Sequence, residues 1–151
     1  MSIFDNPDEY YMQQALIEAR TALKEGEVPI GAVIVSQGQI VARAHNQTEL
    51  LSDVTAHAEM LAFTAATAAL GGKYLKDCTL YVTVEPCYMC AGAAGWTQIS
   101  RIVYGAADPK RGYTTLGDTS QRLLHPKTEV AKGVMEEECA DLMRQFFQSR
   151  R

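Results

Sequence analysis

One histidine, one glutamate and two cysteines stand in an order that constrains this chain more than any other feature. They occur in two segments, His57-Ala58-Glu59 and Pro86-Cys87-Tyr88-Met89-Cys90. His57, Cys87 and Cys90 offer three ligands of the types that zinc prefers, and they leave a fourth tetrahedral position for water. Because structural zinc sites usually close all four positions with protein, three ligands beside Glu59 predict a catalytic zinc site with Glu59 as its acid–base group.

The spacing of these residues predicts where they lie on helices. Cys87 and Cys90 are three apart, which puts both sulfurs on one helix face, and Pro86 favours a helix start just before them. His57 and Glu59 are two apart, so they converge only if His57 lies in the opening turn of its helix. We therefore expect two helix N-termini to face one ion, where free N–H groups and the helix dipole favour thiolates.

Each half of the pattern also has a simpler interpretation. A C-x-x-C sequence occurs in redox pairs and in structural zinc knuckles, and a single His-x-Glu pair is common by chance. Together, in this order and with a proline before the first cysteine, the two halves form the signature H-x-E…P-C-x-x-C of zinc deaminases that act on nucleobases. The combination favours catalysis over a degenerate or purely structural site.

The composition is that of one globular domain spanning residues 1–151. Of these residues 47% are hydrophobic, which is enough for a core. No apolar run approaches membrane-spanning length, and residues 1–10 carry acids instead of a basic signal region, so we expect a cytoplasmic protein with no membrane partner. Cys78 and Cys139 lie within apolar patterns and are expected to be reduced core residues, not a disulfide.

The net charge of −4 does not by itself indicate nucleic-acid binding, but the charge is unevenly spread. Residues 1–100 hold five basic and eleven acidic side chains, whereas residues 101–151 hold nine and seven. A polyanion is therefore expected to contact the C-terminal third.

Hydrophobic periodicity predicts an α/β sandwich around a mixed sheet. Helices are predicted over 7–25, 57–70 and 135–148 and directly after Cys87, and strands over 32–36, 39–44, 79–84, 101–104 and 128–131. Gln37-Gly38 should close a hairpin, and residues 105–116, rich in glycine and charge, are expected to form a loop.

Nearly the whole chain resembles the bacterial tRNA-specific adenosine deaminases of the cytidine deaminase superfamily. Besides the metal signature, the matching segments are 25–33, 45–46, 55–60, 81–87 and 134–139. The resemblance implies a three-layer α/β/α sandwich with a five-stranded mixed sheet, one zinc ion per subunit and a homodimer. The chain departs from the family at Val54, where proline is common, and at Tyr88, where a small or aliphatic residue is usual.

The resemblance also implies an activity: hydrolytic deamination of adenosine to inosine at the wobble position of the tRNA anticodon loop. A zinc-activated water would attack C6 of adenine, with Glu59 as the proton shuttle. Two alternatives remain open from the residues. One is a deaminase of a free base or nucleoside, and the other is a non-catalytic, zinc-dependent RNA-binding module.

Further residues are assigned to the substrate by the same resemblance. Asn46 would hydrogen-bond the purine, and the backbones of Ala58 and Glu85 would meet the base or the leaving amine. The pocket wall would be formed by Val28, Pro29 and Ile30. The RNA backbone would be met by Asp108, Lys110, Arg111, Phe147, Arg150 and Arg151. Without the resemblance, the sequence predicts only structural roles for these segments. Asn46 would lie in a turn, residues 28–30 would precede a strand, and residues 108–112 would form a solvated turn.

The homodimer implied by the resemblance has support in the sequence around the Cys87 helix. This helix carries more apolar residues than a single ligand-bearing face requires, namely Ala91, Ala93, Ala94 and Trp96. The alternative is that the helix lies in the centre of the core, as alanine-rich helices often do.

Overall fold

The structure is a computed structural model that describes residues 5–150, so the predicted RNA contact at Arg151 lies outside the described residues. The helices are α1 (Pro7–Lys24), α2 (Ala58–Leu70), α3 (Tyr88–Thr97) and α4 (Glu136–Ser149). The strands are β1 (Gly31–Ser36), β2 (Gln39–His45), β3 (Cys78–Val84), β4 (Arg101–Ala106) and β5 (Glu129–Lys132). A 3₁₀ segment covers Tyr113–Arg122.

The five strands form one mixed sheet in the order β2-β1-β3-β4-β5. Strand β1 is antiparallel to both β2 and β3, whereas β3, β4 and β5 run parallel. The β1–β2 hairpin turns at Gln37 and Gly38, whose φ angles of 52° and 76° suit the right-handed twist of the strands. Helix α3 follows β3 directly, so its N-terminus lies at the carboxyl edge of β3 and β4, where ligands of α/β sheets commonly bind.

Helices cover both faces of this sheet, and the predicted three-layer α/β/α sandwich is confirmed. Alternate residues of each strand point to opposite faces: Ala32 and Ile34 pack with α2 and α3, whereas Val33 and Val35 pack with α1 and α4. Cys78 and Cys139 are buried free thiols in these two cores, as predicted. Within residues 5–150, no helix is long and apolar enough to cross a membrane.

The helix starts follow from short sequence signals. Asn6 caps α1 by accepting a hydrogen bond from the Glu9 backbone N–H at 3.1 Å, and Pro7 occupies the first turn, where a missing N–H costs nothing. Helix α2 ends at Gly71, whose φ of 75° is the left-handed conformation that glycine adopts without strain.

The predicted loop over residues 105–116 is wrong at both ends. Strand β4 continues to Ala106 because Ala106 pairs with Val84 and its carbonyl accepts the Glu85 N–H at 2.8 Å. The 3₁₀ segment already begins at Tyr113, since the Tyr113 N–H donates to the Pro86 carbonyl at 2.9 Å. Both hydrogen bonds join residues that are distant in sequence, so the local hydrophobic periodicity could not predict them.

A half-buried ion pair ties the start of α1 to strands β3 and β4, on the face of the sheet that α1 covers. The two terminal guanidinium nitrogens of Arg101 donate to the Asp8 carboxylate, at 2.7 and 2.8 Å, and the Tyr81 hydroxyl donates to the same carboxylate at 2.7 Å. The hydrogen bond from Arg101 is the main reason that the pKa of Asp8 is lowered from its ordinary value of 3.8.

We expect this carboxylate to contribute to acid denaturation. Because its pKa is lower in the folded than in the unfolded chain, its stabilisation is complete above about pH 4 and is lost as the pH falls through the folded pKa. Asp8→Asn should reduce the free energy of unfolding by about 1 kcal/mol at pH 7 and flatten its dependence on pH below about pH 4. Urea unfolding at several pH values measures both, with the exposed Asp118→Asn as control; equal pH profiles for Asp8→Asn and the unaltered protein would contradict the assignment.

Candidate metal centre and substrate pocket

The metal-ligand candidates converge at two helix N-termini. His57 is the N-cap of α2, Cys87 is the N-cap of α3, and Cys90 lies in the first turn of α3. The Nδ1 atom of His57 lies 3.6 Å from the Cys87 sulfur and 3.5 Å from the Cys90 sulfur. The structure thus brings together the three residues that the spacing selected, in the predicted positions at the helix starts.

This donor triangle fits zinc. Ligand distances of about 2.3 Å for Zn–S and about 2.0 Å for Zn–N give a nitrogen–sulfur separation of about 3.5 Å across a tetrahedral angle. The two separations from His57 match that value. Among the described residues, His57, Cys87 and Cys90 are the one group of His, Cys, Asp or Glu side chains placed to hold a metal ion together.

The surroundings of the two cysteines favour the thiolate form of Cys87. A hydrogen bond from the Cys90 thiol, assisted by His57, lowers the pKa of Cys87 to about 4. The same hydrogen bond, together with burial, raises the pKa of Cys90 and so favours its protonated thiol. A metal that binds both sulfurs would release this proton.

Glu59 lies beside this cluster in the first turn of α2. Its side chain is 3% exposed, and its Oε1 is the one buried side-chain oxygen or nitrogen in residues 5–150 without a hydrogen-bond partner. Burial raises the pKa of Glu59 to about 7. Since an unpaired buried carboxylate is costly, the free oxygen is explained by a ligand, water or substrate that completes the site.

The predicted pocket wall is held together by backbone hydrogen bonds. The Asn46 N–H donates to the Ile30 carbonyl at 3.1 Å, and the neighbouring Gln47 N–H donates to the Ala56 carbonyl at 3.0 Å. These bonds place Asn46 between the 28–30 segment and the loop that enters His57. Pro29, Asn46 and Ala58 are buried, while Val28 and Ile30 are partly exposed.

The residues predicted to meet the RNA backbone surround one groove. The groove has a volume of about 940 Å³, and its floor is Val84 and Ala106 at the carboxyl ends of β3 and β4. Its rim includes Asp108, Lys110, Arg111, Phe147 and Arg150. The structure therefore brings together all of the predicted RNA contacts that it describes, although they come from a loop and a helix far apart in sequence.

Comparisons with known proteins agree with this arrangement. The MafB19-like deaminase family matches residues 6–151. A tRNA-specific adenosine deaminase of Bacillus subtilis (strain 168) is 47% identical over 146 residues, which is 95% of this chain and 91% of the relative. This chain belongs to the tRNA-specific adenosine deaminase family.

Two solved structures extend the comparison to the fold. A structure from a study of A-to-I editing by tRNA:A34 deaminases at the wobble position has a TM-score of 0.83 and 45% identity, and covers 88% of this chain and 98% of that chain. A guanine deaminase of Bacillus subtilis has a TM-score of 0.63 and 39% identity over 66% of this chain and 64% of its own. The likeness to the tRNA deaminases is thus both higher and more extensive.

Three of the substrate residues expected from the adenosine deaminase family have structural contacts that the sequence did not indicate. The Glu85 N–H is bound to Ala106, so only its backbone carbonyl is left for a ligand. Asp108 Oδ1 accepts hydrogen bonds from the backbone N–H groups of Lys110 and Arg111, each at 3.0 Å. Arg150 donates to the Gly26 carbonyl at 2.8 Å and stacks over Phe146.

The carboxylates of two buried glutamates, Glu27 and Glu85, have hydrogen-bond partners that sequence reasoning did not predict. The Glu27 carboxylate accepts hydrogen bonds from the backbone N–H groups of Glu49 and Leu50, and that of Glu85 accepts bonds from Asp108 and Thr114. The signal for Glu85 in the sequence is an acid after an apolar strand, which predicts a buried and paired carboxylate. Each of the two carboxylates fixes one loop beside the pocket.

Proposed function

We propose that this chain, as a single deaminase domain, is a zinc-dependent hydrolase that converts adenosine to inosine at the wobble position of tRNA. The observation that carries the proposal is the zinc-sized triangle of His57, Cys87 and Cys90 beside the unpaired Glu59 Oε1. The RNA substrate is supported by the 43–47% identity to bacterial proteins that are named tRNA-specific adenosine deaminases. A cytoplasmic location follows from that substrate.

His57, Cys87 and Cys90 would hold the metal, which when bound supplies a Lewis acid that activates water near neutral pH. Asn46 and the 28–30 wall would orient the purine with C6 toward Glu59. Glu59 would accept a proton from the attacking water and deliver one to N1, which makes C6 electrophilic. Glu59 would then take the second proton from the hydroxyl group now on C6 and deliver it to the leaving amine, so that adenosine and water yield inosine and ammonia.

A deaminase of free guanine is the second candidate, because a guanine deaminase shares 39% identity over two-thirds of this chain. Ammonia release from guanine, cytosine and adenosine, compared with release from a tRNA anticodon stem-loop, separates the two. We expect release from the stem-loop alone. A tRNA mobility shift with no inosine formed would instead favour a non-catalytic RNA-binding module.

The basic rim of the groove is expected to bind phosphates. Lys110 and Arg111 are exposed and stand beside the exposed ring of Phe147, on which an unpaired base can stack. Arg150 is the weaker candidate, because its guanidinium already binds Gly26 and Phe146. An anticodon loop suits this surface because its bases are already unpaired, and flipping one of them costs little.

This assignment predicts a change in salt dependence. Because each phosphate contact to a single strand adds about 0.7 to the slope of log affinity against log salt, Lys110→Gln with Arg111→Gln should flatten that slope by about 1.4. The matched control is Lys73→Gln with Lys76→Gln, at the opposite end of β3. Fluorescence anisotropy with a labelled stem-loop measures the slope; equal changes in both double variants would contradict the assignment.

We also propose a homodimer. Of the four apolar residues of α3 that supported it in the sequence, only Trp96 is exposed in the structure. Ala91 and Ala94 are buried in the core, as the alternative interpretation of the helix requires, and Ala93 packs against the same core. Trp96, however, is 85% exposed at the end of α3, and Val54 is also 85% exposed. Tryptophan is enriched at protein interfaces, so the exposed Trp96 supports the proposal. Light scattering at micromolar concentration should give the mass of two chains, whereas a monomer with full activity would contradict the proposal.

A further inference from the structure

The carboxylate of Glu85 is buried, and none of the salt bridges found within residues 5–150 includes it. It is 4% exposed. Its Oε1 accepts the Asp108 N–H at 3.1 Å, and its Oε2 accepts the Thr114 N–H at 3.0 Å and the Thr114 hydroxyl at 2.6 Å. A buried charge is tolerated only when its lone pairs are satisfied, and here every donor comes from one loop, residues 108–114.

The same loop is fastened to the metal-ligand segment at two further points. The Tyr113 N–H donates to the Pro86 carbonyl at 2.9 Å, and Gly112 forms an isolated antiparallel bridge with Cys87. Gly112 has a φ of −60°, which any residue can adopt, so glycine is needed here for its small size and not for its backbone freedom. A Cβ at this position would overlap the Glu85 carboxyl group.

We propose that Glu85 is a positioning residue that holds the 108–114 loop against the segment bearing Cys87. The loop carries Asp108, Lys110 and Arg111, so the Glu85 carboxylate fixes the distance between the charged rim and the metal centre. This proposal rests on the proposed function, because it assigns the loop to RNA binding. It predicts that loosening the carboxylate weakens RNA binding and leaves the chemical step intact.

The chain offers a matched pair of variants to test this at an exposed residue. Thr114→Val removes the hydroxyl that donates to Glu85 and preserves shape, whereas Thr114→Ser retains the hydroxyl. Glu85→Gln is the stronger variant, since in either orientation of its amide the backbone N–H of Asp108 or of Thr114 loses its acceptor. Thr119→Val, at an exposed threonine whose hydroxyl binds only the Leu116 carbonyl within the same 3₁₀ segment, controls for the generic effect of the change.

Three quantities are measured on each zinc-loaded variant: zinc content, amide hydrogen exchange of a peptide covering 107–115, and kcat and KM for a tRNA anticodon stem-loop. We expect Glu85→Gln to keep one zinc ion per chain, to speed exchange in that peptide about tenfold, and to raise KM about tenfold with kcat within about twofold. Thr114→Val should show the same pattern at about threefold, and Thr114→Ser and Thr119→Val should match the unaltered protein.

Unchanged exchange in both Glu85→Gln and Thr114→Val would overturn the proposal, as would faster exchange with an unchanged KM. Zinc loss in either variant would also overturn it, because the carboxylate would then act on the ligands and not on the loop. If Glu85→Gln does not fold, the Thr114 pair decides alone. Failure of the proposed function is distinguishable, since the unaltered protein would then leave the stem-loop unchanged while the exchange data still report on the loop.

Discussion

Glu59→Gln is expected to abolish deamination while it leaves the zinc in place. The glutamine has nearly the same shape but cannot take a proton from water, and acid–base catalysis of this kind contributes about 100- to 10,000-fold. We therefore expect kcat on the anticodon stem-loop to fall about a thousandfold or more. Glu59→Ala should lose as much activity, because it also removes the proton acceptor.

The expected loss of activity without loss of zinc follows from the position of Glu59. It lies in the first turn of α2, beside the three ligand candidates but outside their group, with one buried oxygen unpaired. Inosine yield and zinc content, measured on the same preparations, separate the two roles, and the exposed Glu129→Gln is the control. Near-normal activity in Glu59→Gln would refute the proton-shuttle role, and loss of zinc would make Glu59 a ligand.

Cys87→Ala and Cys90→Ala are expected to lose the metal. Each leaves two protein ligands, and the ion would otherwise join the N-termini of α2 and α3, so its loss should also lower the melting temperature. The unaltered protein should hold about one zinc ion per chain and these variants close to none.

Cys78 provides the matched control for this prediction. It is a buried free thiol at the start of β3, at the opposite end of that strand from the metal centre. Cys78→Ala should therefore keep its zinc and lose stability only through the small cavity it creates. Zinc at full stoichiometry in Cys87→Ala or Cys90→Ala, by elemental analysis, would show that the ligand set is wrong.

Much of the metal centre could be predicted because its geometry is local. The two-residue spacing of His57 and Glu59 forces a helix start between them, and the three-residue spacing of Cys87 and Cys90 fits one helical turn. The strands were predictable for a similar reason, since residues 31–36 and 78–84 are buried runs with high β propensity.

The features that local patterns missed depend on contacts between distant segments. The 3₁₀ start at Tyr113 depends on Pro86, and the loop before it is held by Glu85. In α4, Phe146 is buried and Phe147 is 50% exposed. The resemblance assigned Phe147 to the RNA, but the helical pattern alone does not separate these two neighbours, because the orientation of the helix is set by tertiary packing.

The most direct test of the proposed function is to sequence tRNA after incubation with the zinc-loaded protein. Because inosine pairs as guanosine during reverse transcription, deamination appears as an A-to-G change. The proposed function predicts this change at the wobble adenosine, absent with Glu59→Gln and absent at adenosines within base-paired stems. Full-length tRNA that is bound but shows no A-to-G change at that position would contradict it.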